Sequence, residues 1–311
     1  MINIYEAQAA NQRKSIFIVL IFSIFVFLSV YIISQAFSMY SGYKPGGLGF
    51  VGIALIISGL SSYVGYFYSD KIVLGISGAR PANKKRDFMF YTVVENLSIA
   101  SGIPQPKLFV IEDSAPNAFA TGRDPKHAVI CATTGLLEKL NRTELEGVVA
   151  HEITHIRNYD IRLMSIVSVM VGVIALLGDW LLRMRWYGGS RDNDRKSSGA
   201  EVIILFLGIL FALLSPVIAN LIKLAISRRR EFAADAGAVG ITRQPDGLIR
   251  ALKKISEDGE ILEAANKATA HMYIVNPFKG EKNNLAVFRF ASLFNTHPPI
   301  EERIATLTKM S

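Results

Sequence analysis

Apolar and polar positions divide this chain into four uncharged runs and two charged segments. Residues 15–43, "SIFIVLIFSIFVFLSVYIISQAFSMYSGY", carry no charged side chain, and neither do residues 45–69. Each can supply the roughly 20 residues that a spanning helix needs. The first run contains "SQA" at 34–36, which resembles a signal-cleavage site. Its apolar core is too long for a secretion signal, so it reads as an uncleaved anchor. Residues 163–178 form a shorter uncharged run followed by Asp179, and residues 202–222 form one long enough to span. Between these last two, "RMRWYGGSRDNDRKSSGA" mixes Gly, Ser and both charges and predicts a flexible loop over 183–200.

The charged segments, 71–160 and 227–311, read as soluble. In the first, "KLFVIED" follows "GIPQP" as a short strand. "APNAFATG" and "HAVICATTGLL" are also strand-like, separated by the polar turn "RDPK". The second segment reads as mainly helical. The expected fold is α+β, mainly helical with a small sheet and up to four transmembrane helices. The expected organisation is a two-helix anchor over 1–70 and a first catalytic part over 71–160. A membrane hairpin over 161–226 and a second catalytic part over 227–311 complete it.

Composition sharpens this picture. Half of the 311 residues are hydrophobic and the formal net charge is +8. An anionic bilayer surface is a natural partner for that charge. The basic residues scatter or flank apolar runs, with no aromatic–basic platform, which argues against nucleic acid. A single cysteine, Cys131, excludes an intramolecular disulfide framework and reads as a small core residue. Arg13 and Lys14 precede the first run, and Lys71, Arg80, Lys84, Lys85 and Arg86 follow the second; only Lys44 lies between. That bias puts the N-terminus and both soluble segments on the cytoplasmic side of a multi-pass protein in the inner membrane. Arg183, Arg185, Arg191, Arg195 and Lys196 break the pattern. Either the early charges dominate, or the third and fourth runs form a hairpin that does not fully cross.

The candidate chemistry sits in "VVAHEITHIRNYDIRL" at 148–163. Thr143 and Glu146 have the spacing of a capping box that opens a helix. Leu145, Val148, Val149, Ile153 and Ile156 recur at helical spacing as its packed face. His151 and His155, four apart, project from one side and can share one ion about 2 Å from each ring. Glu152 is turned about 60° from His155 and can take a proton from an attacking water without being a ligand. "SRRREFAADAGAV" offers a third ligand in Glu231, with Asp235 placed to fix a histidine tautomer. If both helices continue unbroken into their neighbouring apolar runs, each ligand lies about 12 Å from the apolar boundary. The site would then look out just above the bilayer.

These residues resemble the HtpX family of membrane-bound zinc metalloproteases, related to the CAAX prenyl proteases. The resemblance covers nearly the whole chain and is carried by "NAFATG", "GVVAHEITHI", "SRRREFAADAGAV", "AHMYIVNPF" and "THPPIEERI". It implies a gluzincin-like catalytic domain with membrane helices. It also implies one Zn2+ held by His151, His155 and Glu231, with Glu152 as catalytic acid/base. The role it implies is quality control of membrane proteins under stress, acting on misfolded or damaged proteins. Homo-oligomerisation stays open. His297, in "THPPIEER", is the first candidate for a donor to the oxyanion, and His271 the second. His127, beside Lys126, reads as solvated. Asn117, Ala118, Phe119 and Ala120 form a candidate substrate strand, to which an extended peptide can add by main-chain hydrogen bonds. The rival readings are a prenyl-protein peptidase and a non-enzymatic metal-binding receptor or transporter.

Overall fold

A computed structural model of the chain describes residues 4–40, 48–187, 228–265, 269–275 and 298–310. The fourth apolar run, most of the 183–200 loop and His297 lie outside the described residues. Two helices, α1 (Ile4–Tyr40) and α2 (Leu48–Phe67), form an N-terminal hairpin. A short α3 (Ser69–Ile76) follows. The first charged segment contributes β1 (Arg80–Pro81), α4 (Phe88–Ser101), β2 (Lys107–Ile111), β3 (Ala118–Thr121), β4 (Val129–Thr133), α5 (Thr134–Lys139) and α6 (Arg142–Arg157). Then come α7 (Asp160–Tyr187), α8 (Arg228–Thr242), α9 (Asp246–Glu257) and α10 (Ile300–Thr308). The protein is mainly helical with one small mixed sheet, as expected from the patterning.

The sheet order is β1-β2-β4-β3. β2 and β4 are parallel, from Lys107 opposite Val129 to Ile111 opposite Thr133. β3 is antiparallel to β4, with Ala118 opposite Ala132, and among the described residues no strand pairs with its other side. "HAVICATTGLL" is therefore a strand followed by a helix: the Thr133 hydroxyl accepts from the Leu136 amide and starts α5. "RDPK" becomes a 3₁₀ turn at Pro125–His127 because the Asp124 carboxylate accepts both the Lys126 and His127 amides. Gly122, at φ +130, closes β3 where an added Cβ would meet the His127 carbonyl.

The core lies between the sheet and α4, α6, α8 and α9. All five apolar residues of the motif helix are buried in it, along with Phe90, Val110, Ile130 and Leu252. Cys131 is buried, as its sequence context predicts. Helix α6 begins at Arg142, earlier than the Thr143–Glu146 capping box expected from the sequence would start it: its cap is Asn141, not Thr143. The Asn141 side chain accepts from the Glu144 amide at 3.0 Å, and the Glu144 carboxylate accepts from the Asn141 amide at 2.9 Å. The earlier pair wins because Glu144 then meets Lys254 of α9 at 2.7 Å, whereas Glu146 is left to an exposed bridge with Arg142. Backbones approach closely at this crossing. A Cβ on Gly147 would lie 2.5 Å from the Leu248 nitrogen, and one on Gly247 would lie 2.4 Å from the Thr143 carbonyl oxygen.

Three expectations about the membrane-facing part change. Among the described residues one unbroken helix, spanning Arg13–Ile32, is long and apolar enough to cross a bilayer. The second run is broken: Val51–Phe67 and Ser69–Ile76 pass that test only as a pair bent by 75°. Four spans therefore exceed what the described residues show. The motif helix does not run on into the third apolar run. α6 ends at Arg157, Tyr159 turns the chain at φ +60, and α7 restarts at Asp160. A left-handed residue costs roughly 1–2 kcal/mol, and it redirects Asp160 toward the site. The third run is longer than its uncharged stretch, because helix-favouring residues carry α7 through Arg183 to Tyr187, into the expected loop. Its first turns are buried by protein: Leu163, Ile166, Val167 and Met170 pack on Ile18, Phe22 and Phe25 of α1. Inside the anchor, the Ser23 and Ser62 hydroxyls lie 2.6 Å apart and Ser58 donates to the Ser23 carbonyl, polar contacts that hold two apolar helices together.

Gly147→Ala is expected to destabilise the first charged segment by about 1–3 kcal/mol through overpacking against α9. Thermal unfolding of the purified protein in detergent checks it; an unchanged midpoint would show that the crossing relaxes freely.

Candidate metal centre

Helix α6 presents His151 and His155 one turn apart on one of its sides. Helix α8 crosses it and presents Glu231. The crossing is close because Gly237 has no side chain: a Cβ there would lie 2.4 Å from Thr154 of α6. The three side chains converge. His151 Nε2 and His155 Nε2 are 3.2 Å apart. Glu231 Oε2 lies 3.7 Å from His151 Nε2, and Glu231 Oε1 lies 3.5 Å from His155 Nε2. A tetrahedral ion with bonds of about 2.05 Å requires donor–donor edges of about 3.3 Å. The observed distances surround that value, so the set fits zinc with little adjustment. Among the described residues these three form the group of donors close enough to share one ion.

Each imidazole is oriented from behind. His151 Nδ1 faces Asp235 Oδ1 at 2.9 Å, and His155 Nδ1 faces Asp160 Oδ2 at 3.0 Å. With the proton held on Nδ1, each Nε2 lone pair points into the site. Asp235 is held in turn by Arg303 of α10 through a two-pronged pair, Nε to Oδ2 at 2.9 Å and Nη2 to Oδ1 at 2.6 Å. Arg303 Nη1 also donates to the Ile274 carbonyl at 3.2 Å. Asp160 Oδ1 lies 3.6 Å from Arg230 Nη1.

Everything here is buried: His151 and Glu231 are 1% exposed, and Asp235 and Arg303 are 0% exposed. Burying charge without balance is costly. Four carboxylates, Glu152, Asp160, Glu231 and Asp235, face two guanidiniums, Arg230 and Arg303. That leaves −4 + 2 = −2 when both histidines are neutral, the charge a divalent cation cancels. Burial pushes the Glu152 carboxyl up, with Glu231 adding to it, against the opposing pull of the histidines and of the Ala120 amide. Burial disfavours a charged His155, but Asp160 and the surrounding carboxylates outweigh it and hold the metal-free ring at about 9. Asp235 also pays for burial, yet Arg303 and His151 keep it below the usual carboxylate range. Metal binding at this site therefore displaces protons.

The structure brings His151, Glu152, His155, Glu231 and Asp235 to one point. His271 is buried with its Nε2 3.2 Å from the Ser168 hydroxyl and 3.4 Å from the Met164 carbonyl, so that nitrogen faces α7. His127 is exposed and sits against Asp124 and Arg123, outside the site. Asn117 to Ala120 line the end of the sheet, all buried. Ala118 already accepts from the Ile274 amide, and the Asn117 side chain holds both main-chain groups of Val275. Sequence reasoning missed Asp160 and Arg303. A signal existed for the second: Arg303 shares a helical stripe with Ile300, Ile304 and Leu307, and a cation inside an apolar stripe calls for a buried carboxylate. Asp160 had none, because only the turn at Tyr159 aims it back.

The profile of "Peptidase family M48" matches residues 85–311. A "Protease HtpX homolog" from Thermoanaerobacter pseudethanolicus is 44% identical over 310 residues, covering 99% of this chain and 98% of that one. Another from Dictyoglomus thermophilum is 46% identical over 307 residues, covering 98% and 94%. A third, from Streptococcus uberis, is 39% identical over 309 residues, covering 99% and 100%. The crystal structure of Ste24p from S. mikatae is similar at a TM-score of 0.46 and 20% identity, covering 97% of this chain and 66% of that one. With the profile matching most of the chain and these relatives matching nearly all of it, this chain belongs to peptidase family M48.

Proposed function

We propose that this membrane-bound zinc metallopeptidase is an endopeptidase in which His151, His155 and Glu231 hold the metal and Glu152 moves the proton. The observation that carries the reading is the convergence of the three donors at 3.2–3.7 Å beside a buried carboxylate of raised pKa. Zinc bound there supplies Lewis-acid polarisation of the scissile carbonyl and of an attacking water. Glu152 accepts the water proton and returns it to the leaving amine. Its raised pKa suits both halves of that task, since a stronger base is also a usable acid near neutral pH. Burial excludes bulk water, so the charges around the reacting carbonyl act with little screening.

Asp235 and Asp160 act as positioning residues by keeping each imidazole's free lone pair toward the ion. Arg303 positions Asp235. The β3 edge, Asn117 to Ala120, is the candidate seat for an extended substrate. It is terminal in the sheet, and Ala120 lies next to Glu152. A peptide adding there must displace the Ile274 contact to Ala118. Main-chain recognition of this kind suits misfolded membrane and cytoplasmic proteins of many sequences. The charge bias around the first two apolar runs supports a catalytic segment facing the cytoplasm from the inner membrane.

Glu152→Gln is expected to keep zinc and lose cleavage of casein by about 10²–10⁴-fold, read on the detergent-solubilised protein with metal analysis alongside. Wild-type turnover by that variant would remove the proton-transfer role and, with it, this reading. Glu231→Ala is expected to abolish zinc retention after dialysis. Asp235→Asn is expected to weaken metal affinity or activity by only about 10–100-fold; a loss equal to that of Glu231→Ala would place Asp235 among the ligands. Arg303→Ala leaves Asp235 buried without its guanidinium and is expected to cost about 3–5 kcal/mol of stability, whereas Arg303→Lys retains part of it. Equal midpoints for the wild type and Arg303→Ala would contradict the charge balance described above.

A further inference from the structure

The bend between α2 and α3 gathers a second group of functional side chains, away from the metal. Its aromatic members are Tyr66 and Phe67 in the last turn of α2, Tyr68 at the bend, and Tyr159 at the turn between α6 and α7. Its cations are Lys71, Arg123 and Arg162. Lys71 Nζ lies 5.1 Å from the Tyr68 ring centre, and the Arg123 guanidinium 5.2 Å from that of Phe67. The Arg162 guanidinium lies between two rings, 5.2 Å from Tyr159 and 6.0 Å from Tyr66. Arg123 Nη1 also donates to the Phe67 carbonyl, and Arg162 Nε to the Arg123 carbonyl, so both guanidiniums are fixed to the bend.

Two further observations identify what this group faces. The first is level. Ser23 of α1 meets Ser58 and Ser62 of α2, so the hairpin returns the last turn of α2 toward Arg13, where the apolar span of α1 begins. The outer faces of both helices expose large apolar side chains up to that point, among them Ile16, Phe17, Leu60 and Tyr63. Phe67 and Tyr68 remain 39% and 43% exposed. Apolar surface thus gives way to aromatic rings and then to cations within one helical turn, the order met at a bilayer interface. The second observation is charge. Among the described residues, Asp124 lies 3.5 Å from Arg123 Nε, but no carboxylate lies within ion-pair distance of Lys71 or Arg162. Asp70, next to Lys71 in α3, and Asp160, whose carboxylate faces His155 and Arg230, are the other acids close to the group in sequence. Two cations held on aromatic faces without a carboxylate partner, at the edge of a lipid-facing surface, present positive charge to whatever lies at that level.

We infer that Lys71, Arg123 and Arg162 form a binding site for the headgroup phosphate of an anionic phospholipid, whose acyl chains lie on the exposed face of α2. Aromatic rings under the cations limit their freedom and shield the chain side from water. The site is also connected to the catalytic sheet. Arg123 follows directly on β3, and Ser165, one turn after Ile161 on the helix that carries Arg162, bonds to Thr121 and Gly122 at the end of that strand. A bound headgroup would therefore fasten the end of β3 to the membrane surface.

The test uses full-length protein in a neutral detergent, with binding of a fluorescent phosphatidylglycerol read by anisotropy. The wild type is expected to bind it more tightly than the matching phosphatidylcholine. Each cation near a charged surface is worth about a fivefold change in affinity. Lys71→Gln alone, at an exposed position where the side chain touches only the Tyr68 ring, is thus expected to weaken binding about fivefold, and the Lys71→Gln, Arg123→Gln, Arg162→Gln triple about 100-fold. Because the two arginines also hold the bend, zinc content of the triple variant reports whether it has folded. A control triple, Lys84→Gln, Lys85→Gln and Lys309→Gln, removes equal charge elsewhere and is expected to bind as the wild type does. Equal affinity for the two lipids, equal loss in both triples, or no loss in Lys71→Gln would overturn the site. Full displacement of the lipid by millimolar inorganic phosphate would overturn the lipid as its ligand.

Discussion

Buried charge is the constraint on which this molecule turns. Four carboxylates and two imidazoles are brought together under the surface, where each ion would be prohibitive alone. Two arginines remove half of the negative charge, and a divalent cation removes the rest. The arrangement also explains why so much of the chain is involved. Asp160 begins α7, Arg230, Glu231 and Asp235 come from α8, and Arg303 comes from α10. Only two helical turns of α6 carry the imidazoles themselves. Metal binding at such a site couples to the stability of the helices that carry its donors and counter-charges.

The left-handed turn at Tyr159 is the hinge of that design. A straight continuation of α6 would carry Asp160 around the helix and away from His155. The turn instead aims its carboxylate back at the ring, and starts a new helix that packs on α1. The same turn puts Tyr159 under Arg162, next to the aromatic end of the membrane anchor. One short turn of chain thus separates His155 from the aromatic–cation group at the α2–α3 bend. The apolar run that follows the histidine motif is explained by packing: the first turns of α7 bury their side chains against α1.

The β3 edge shows how the fold combines access with protection. Among the described residues it ends the sheet, the place where the proposed peptide would add. The structure occupies some of its main-chain groups with its own chain, through Ile274 and the Asn117 side chain. An unprotected edge invites aggregation, and an edge beside a peptidase site also invites self-cleavage.

Much was legible in the sequence alone. The four-residue spacing of His151 and His155, the third donor at Glu231 and the supporting Asp235 follow from helix periodicity and ligand chemistry, both of which are local. So do the buried face of α6 and the positions of the short strands, apart from boundaries that caps decided: Asn141 displaced Thr143 because its partner Glu144 found Lys254 on a distant helix. Tertiary structure decided the rest. Whether Asp160 reaches His155 depends on one positive φ, and whether Arg303 reaches Asp235 depends on folding α10 onto α8 across 68 residues of chain. The bend in the second apolar run and the burial of the third depend on neighbours rather than on hydropathy. Periodicity fixes which side chains share a face; only the packed chain fixes what that face meets.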